Sequence, residues 1–315
     1  VILKIKRSFL FCERPFYLFI FICHIMIMEG VTELPIVIGE NLETLEAQII
    51  AYCDTTIEYD TLLPMTTTPS LKNALYGLYD SSEKIIQDMK DEIKSNYKDN
   101  ELSHNGERCP YCGILRQSPS ALDHFLPRGV FPEYSILSKN LVYICERCNN
   151  KAHKGSLVND NEGKRLFLHP YTDIELETHT FVKCTLEFDE LTVLPTFTIS
   201  NEILSHKPDL YRIACNHMKK LKLNERYGAL VESDLLRKFR NKFTRLDKDK
   251  KVRKYKDNLL LEDIKRFIND KIEECDETDL NNWEMIFWKE FLLSEDWFNS
   301  LAGRELEASN IETTV

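Results

Sequence analysis

Four cysteines in two pairs are the residues whose spacing speaks first: Cys109-Pro110-Tyr111-Cys112-Gly113 and Cys145-Glu146-Arg147-Cys148. Each pair sets two thiolates on a tight turn, and four sulfurs complete a tetrahedral zinc site. A closed site of that kind leaves no position for a substrate, so the expected ion is structural, a clamp between two distant turns. The other cysteines, Cys12, Cys23, Cys53, Cys184, Cys215 and Cys275, show no ligand spacing and read as small apolar residues. A disulfide framework belongs to small, core-poor secreted domains, so the cysteines point to metal and to a reducing cytoplasm.

The stretch between the pairs is longer than an ordinary zinc ribbon needs. It holds Leu122-Asp123-His124-Phe125-Leu126-Pro127-Arg128, then Phe131-Pro132-Glu133-Tyr134, then Asn140-Leu141-Val142. Asn149, Lys151 and His153 follow the second pair. In this order, bracketed by the cysteines, these residues resemble the zinc-knuckle branch of the HNH endonucleases over roughly Arg108 to Lys154. Singly, each has a plainer reading: Asp123 as a cap, His124 as a packed histidine, Asn140 as a turn former, Asn149 as an N-cap.

The resemblance implies a metal-dependent nuclease that hydrolyses phosphodiesters, with DNA ahead of RNA as substrate. Such an enzyme must activate water and neutralise charge on the phosphoryl oxygens. His124 suits the first task, because a neutral imidazole can take the proton of water near neutral pH. Asp123 offers a hard oxygen to a divalent cation. Neighbours on a strand point to opposite faces, so the two serve one phosphate only if the strand is bent or bulged.

By the same resemblance Asn149 is a ligand of the catalytic ion and Asn140 holds the hairpin that aims the histidine. Asn149 stands where the plain pattern has His, and with Asp123 it makes an oxygen-rich site suited to Mg2+ or Mn2+. If Cys148 opens a helix, His153 shares a face with Asn149 and becomes an optional further ligand. Arg128, Arg147, Lys151 and Lys154 flank this centre as candidate phosphate-binding groups, with plain surface solvation as the alternative. His169-Pro170-Tyr171 reads as the end of an apolar strand, Leu166 to Leu168, packed against the finger, with His169 as a further member of the site the alternative.

The elements around these residues predict an α+β fold: a zinc-stapled ββα-metal finger flanked by helical N- and C-terminal modules. Apolar residues recur at helical spacing from Asn41 to Cys53 and from Leu71 to Tyr97, giving a helical module over 31–100. Residues 101–200 form the mixed nuclease segment, and Phe181 to Ile199 alternates as a hairpin does. Helical periodicity returns over 201–315, in Leu210 to Leu221, Leu230 to Phe243, Leu260 to Ile272 and Trp283 to Trp297. Arg237 to Lys256 is a basic run that serves either as a solvated face or as a phosphate-tracking surface.

Net charge is -10 over 315 residues, so any contact with nucleic acid must be local. Residues 1–30 carry two apolar runs, the longer too short to span a bilayer comfortably, and read as a leader or as sequence upstream of a natural start at Met26 or Met28. No membrane role is expected. Stand-alone HNH chains with extra helices are similar to nucleases of bacterial anti-phage systems, such as the Septu type that works with an ATPase. No P-loop is present, so an ATPase would have to be a separate partner protein. The rival class is a non-catalytic zinc module that binds nucleic acid or a protein.

Overall fold

Leu45, Ile49 and Tyr52 are spaced i, i+4 and i+7 and all are buried, the signature of a helix with one face in a core. They lie on α1 (Leu42–Cys53). The Thr68 hydroxyl accepts the Leu71 N–H at 3.2 Å and Pro69 takes the first helical position, which starts α2 (Pro69–Leu78) and buries Leu71, Leu75 and Leu78. A turn over 79–83, where the Ser81 hydroxyl accepts the Glu83 N–H, separates α2 from α3 (Lys84–Asn96). In this computed structural model the described residues are 41–54, 59–96, 108–115, 120–173, 179–189, 192–203, 207–242, 257–275, 279–294 and 297–298.

Next come β1 (Ser120–His124) and β2 (Leu141–Cys145), an antiparallel pair in which Asp123 faces Val142 and His124 faces Leu141. A one-turn helix, α4 (Glu146–Asn149), follows directly and packs on both strands. The second hairpin joins β3 (Val182–Asp189) to β4 (Thr192–Ile199). The remaining elements are α5 (Pro208–Lys220), α6 (Leu223–Leu230), a π-helical segment Val231–Leu235 that runs into helical residues 236–242, α7 (Asp257–Glu273) and α8 (Trp283–Leu292). The architecture is α+β, with two small separate sheets.

The chain divides into two compact units. The first contains the described residues from 41 to 173 together with Arg212–Leu221; the second contains 179–211 and the described residues from Lys222 onward. This differs from the boundaries expected at 100 and 200. The N-terminal helices are not a module apart, because α1 and α2 pack on the loop that links β1 to β2. The hairpin β3–β4 belongs with the C-terminal helices: Asn281 Oδ1 accepts the N–H groups of Phe181 and Val182, at 2.8 and 3.1 Å, and Asn224 Oδ1 accepts that of Phe197 at 2.7 Å. Side-chain acceptors outside the hairpin thus tie it to the second unit, an effect that strand alternation cannot reveal.

Further differences are local. Leu166 to Leu168 is buried but forms no strand; a single bridge joins Arg165 to Asn159. The helix begun at Trp283 ends at Leu292, short of Trp297, and its Trp283 and Trp288 lie in the core. The leader reading of residues 1–30 and the basic run beyond 242 lie outside the described residues; Arg237, Lys238 and Arg240 pair with Asp234 and Glu232. Among the described residues no helix is long and apolar enough to cross a membrane.

Candidate functional site

The first cysteine turn is closed by hydrogen bonds from the N–H groups of Cys112 and Gly113 to the Cys109 carbonyl, 3.2 and 2.7 Å long. Gly113 adopts a left-handed φ of 63°, which a residue with a Cβ takes only at a cost. Arg108 donates to the Gly113 carbonyl, and the bridge from Arg108 to Leu115 closes the base of the turn. The second turn comes from the junction of β2 and α4. It brings all four sulfurs within 4.8 Å of one another, with Cys112 and Cys145 at 3.9 Å. Tetrahedral Zn–S bonds of about 2.3 Å imply S–S separations of about 3.8 Å, so the cluster can hold a metal ion such as zinc. The Cys145 N–H points at Cys109 Sγ, 3.4 Å away. His217 of α5 ties this corner down, since its Nε2 donates to the Tyr111 carbonyl at 2.6 Å and its Nδ1 accepts the Leu168 N–H.

On β1 the pairing register runs without a bulge from Ser120 to His124, so Asp123 and His124 face opposite sides of the hairpin. The bend or bulge that they would need to serve one phosphate is not in the strand. His124 turns toward the ring of Tyr79, 4.6 Å away, and its Nε2 lies 2.8 Å from the Ser135 carbonyl. A carbonyl only accepts, so Nε2 carries the proton and Nδ1 keeps a lone pair. Burial, helped by the charges of Arg128 and Lys154, pushes the imidazole down to about 4, while the Ser135 carbonyl pulls the other way. Ser135 is itself held by its hydroxyl, which donates to the Leu75 carbonyl of α2.

Asp123 faces a different neighbour. Its carboxylate meets the ammonium of Lys154 at 2.5 Å, and burial pushes its pKa up while Lys154 pulls it down. Expected as a phosphate-binding group, Lys154 is fully covered and paired with Asp123, out of reach of a bulky polyanion. A divalent ion at this carboxylate is not accommodated with the ammonium in place. Among the described residues, the four cysteines are the one group of three or more His, Cys, Asp or Glu side chains gathered closely enough for a shared ion.

Asn140 ends the loop between the strands, and its carboxamide is saturated. Oδ1 accepts the Leu126 N–H at 2.7 Å and the Tyr52 hydroxyl at 3.0 Å, while Nδ2 donates to the carbonyls of Leu126 and Tyr134, each at 3.0 Å. Four bonds are the full capacity of an amide, so Asn140 has nothing left for a substrate or an ion. It is a positioning residue rather than a catalytic one. Behind it stands His169, fully buried: Nδ1 accepts the Tyr171 N–H and Nε2 donates to the Tyr52 oxygen at 3.2 Å. Its ring stacks on Tyr59 at 4.7 Å and meets Phe125 at 4.2 Å. His169 is therefore a support of the loop.

The other expected residues scatter. Arg128 is bound to Asp80 at 2.7 Å and to the Tyr76 carbonyl at 3.1 Å, with its guanidinium 4.1 Å above the Tyr76 ring. Lys151 and Arg147 are exposed. Asn149 is half-buried at the end of α4. Because that helix opens at Glu146 and closes at Asn149, His153 lies beyond it and does not share a helix face with Asn149, which removes the expected i, i+4 pairing. Sequence reasoning passed over Tyr52, Tyr79, Glu133 and Ser135, which anchor the loop. Glu133 is fully buried and accepts the Met65 N–H at 2.8 Å, and Tyr134 donates to Gln48 at 2.9 Å. The run Phe131-Pro132-Glu133-Tyr134 lies between the cysteine pairs with no role assigned from sequence, and nothing local marks Tyr52, Tyr79 or Ser135.

No family model matches the chain, and no solved structure matches it. Protein ea31 of Escherichia phage lambda is similar to it, 27% identical over 215 residues that span 65% of this chain and 68% of the phage protein.

Proposed function

We propose that this chain is an HNH-type endonuclease, hydrolysing phosphodiester bonds of nucleic acid on a zinc-stapled ββα finger, with DNA the first substrate to try. The observation that carries the reading is the held imidazole of His124. Its Nε2 is committed to the Ser135 carbonyl, which leaves Nδ1 as the group able to take a proton from water. A carbonyl partner of this kind fixes both tautomer and ring orientation before substrate arrives, and orientation is a large part of what a positioned base contributes.

A buried histidine with so low a pKa is neutral at pH 7 but weakly basic. The negative charge of a bound phosphodiester favours the imidazolium and raises that pKa toward the working pH, so the base strengthens when substrate is present. Asn140 keeps the loop in place through both the backbone of Leu126 and the carbonyl of Tyr134. Exposed Lys151 and Arg147 supply local positive charge on an otherwise acidic chain. As the resemblance implies, Mg2+ or Mn2+ at Asp123 and Asn149 would neutralise charge on the phosphoryl oxygens, provided that the Lys154 ammonium gives up Asp123. In the structure Lys154 supplies the cation beside Asp123.

The test uses the full chain and His124→Ala with matched zinc content, each incubated with supercoiled plasmid and single-stranded nucleic acid in Mg2+ or Mn2+. Cleavage by the parent that falls by about a hundredfold or more in the variant supports the reading. Equal cleavage by both overturns the role of His124. Binding of nucleic acid with no cleavage by either favours the non-catalytic module.

A further inference from the structure

The turn that follows α4 is built to deliver one side chain. The His153 N–H donates to the Asn150 carbonyl at 2.9 Å, the Ala152 N–H donates to Asn150 Oδ1 at 2.8 Å, and the Lys154 N–H returns to the Cys148 carbonyl at 3.2 Å. Gly155 then takes a left-handed φ of 51°, and a Cβ there would lie 3.1 Å from the Cα of Lys151, so the position tolerates little but glycine. The product of this geometry is a lysine beneath the hairpin with none of its side chain exposed.

Its ammonium has three N–H donors and three oxygens around it: Asp123 Oδ2 at 2.5 Å, the His124 carbonyl at 2.9 Å and the Gly155 carbonyl at 3.4 Å. Among the described ion pairs this is the most deeply buried. A buried pair rarely adds net stability over an apolar replacement, so its retention asks for another role. The location is pertinent, because a compact cation held by one carboxylate and two carbonyls has the donor set of a hard metal ion.

We propose that Lys154 is a resident cation that competes with divalent metal for Asp123, so that metal enters this site only as the Lys154 ammonium leaves it. The inference rests on the reading of Asp123 as an ion ligand. It makes metal affinity a property of the turn from Asn150 to Gly155 as much as of the ligands. It also gives the zinc cluster a say in the second site, since the Lys154 backbone is bonded to the carbonyl of Cys148. Without the competing charge, Asp123 is left as an unpaired buried carboxylate that a divalent ion can neutralise.

The experiment titrates Mn2+ alone, followed by electron paramagnetic resonance, into zinc-loaded full-length protein and into Lys154→Met, which keeps the length of the side chain and removes its charge. Lys154→Gln is carried alongside, and zinc content with the melting transition identifies a variant that has not folded. Both folded variants are expected to bind Mn2+ about tenfold or more tightly than the parent, since two like charges a few ångströms apart repel strongly in a buried site. That gain should vanish in the double variant Asp123→Asn with Lys154→Met. Equal Mn2+ affinity in parent and variants overturns the competition while leaving the nuclease reading to the His124→Ala assay. No Mn2+ binding by any variant also overturns it, and shows in addition that Asp123 is not an ion ligand.

Discussion

The two units bury different things. The interior of the first contains His124, Glu133, Lys139, Asn140, Lys154 and His169, each covered and engaged with specific partners. The interior of the second is aromatic. Trp288 packs with Phe267, Phe287 and Phe291, Tyr227 stacks on Trp283 at 5.0 Å, and Phe239 meets Phe291 and Phe298. Buried polar side chains are fewer there: Arg226 and Asp279 are covered, Asn281 receives the hairpin and Asn282 caps α8. Buried ionisable groups carry a desolvation cost that an aromatic core does not, and they tend to be kept where geometry must be exact for chemistry. The contrast is one of degree: buried ionisable side chains concentrate in the first unit, where the candidate site lies.

The comparison breaks most visibly at the cysteines. Stripping the metal with a chelator, or replacing Cys148 with Ser, should unfold the first unit, because a structural zinc contributes on the order of 10 kcal/mol. Hydrogen exchange should then show lost protection in β1 and β2 and retained protection in β3 and β4. Loss of protection in both hairpins together would mean that the units do not fold separately. Trp288→Ala is the mirror experiment, costing about 3–5 kcal/mol in the melting of the second unit while zinc content stays unchanged.

Smaller effects sharpen the picture. Asn140→Ala leaves the Leu126 N–H and two carbonyls without their partner and should cost about 3 kcal/mol in the first unit, read by denaturant unfolding. Acid should act on the same unit. Burial holds His169 well below its ordinary pKa and His124 at about 4. The unfolded chain protonates these groups near 6.5, so their contribution is present above that pH and is lost as pH falls from there toward 4. Each should cost about 1.4 kcal/mol per pH unit within that window, and His169→Phe should flatten the slope. Least of all should come from Leu293→Ser in the second unit, an exposed side chain whose loss should stay within about 0.5 kcal/mol.

The legible parts of the site were those with short-range causes. Both cysteine pairs follow from local spacing, and the role of Asn140 in holding the loop was what the resemblance implied. Tyr52 was not legible. It lies 88 residues from the Asn140 oxygen that it contacts, on a helix whose pattern reads only as apolar. Lys154 read as a phosphate-binding group or a solvated cation, because nothing in a one-dimensional list of charges tells a lysine turned inward by a glycine turn from one turned outward. The misplaced boundary at 200 has a similar cause, since Asn281 claims the hairpin from about 100 residues away.

The sequence by itself determined most of the helices, the β3–β4 hairpin, the four-cysteine cluster and the order of the candidate residues, because spacing along the chain controls helical faces, strand alternation and chelation by neighbouring turns. Only the tertiary structure could set the tautomer of His124, the saturation of Asn140, the partner of Asp123 and the grouping of elements into units. Each of those depends on which distant group supplies a hydrogen bond or a charge in a dry interior, where a single carbonyl or ammonium outweighs any local preference.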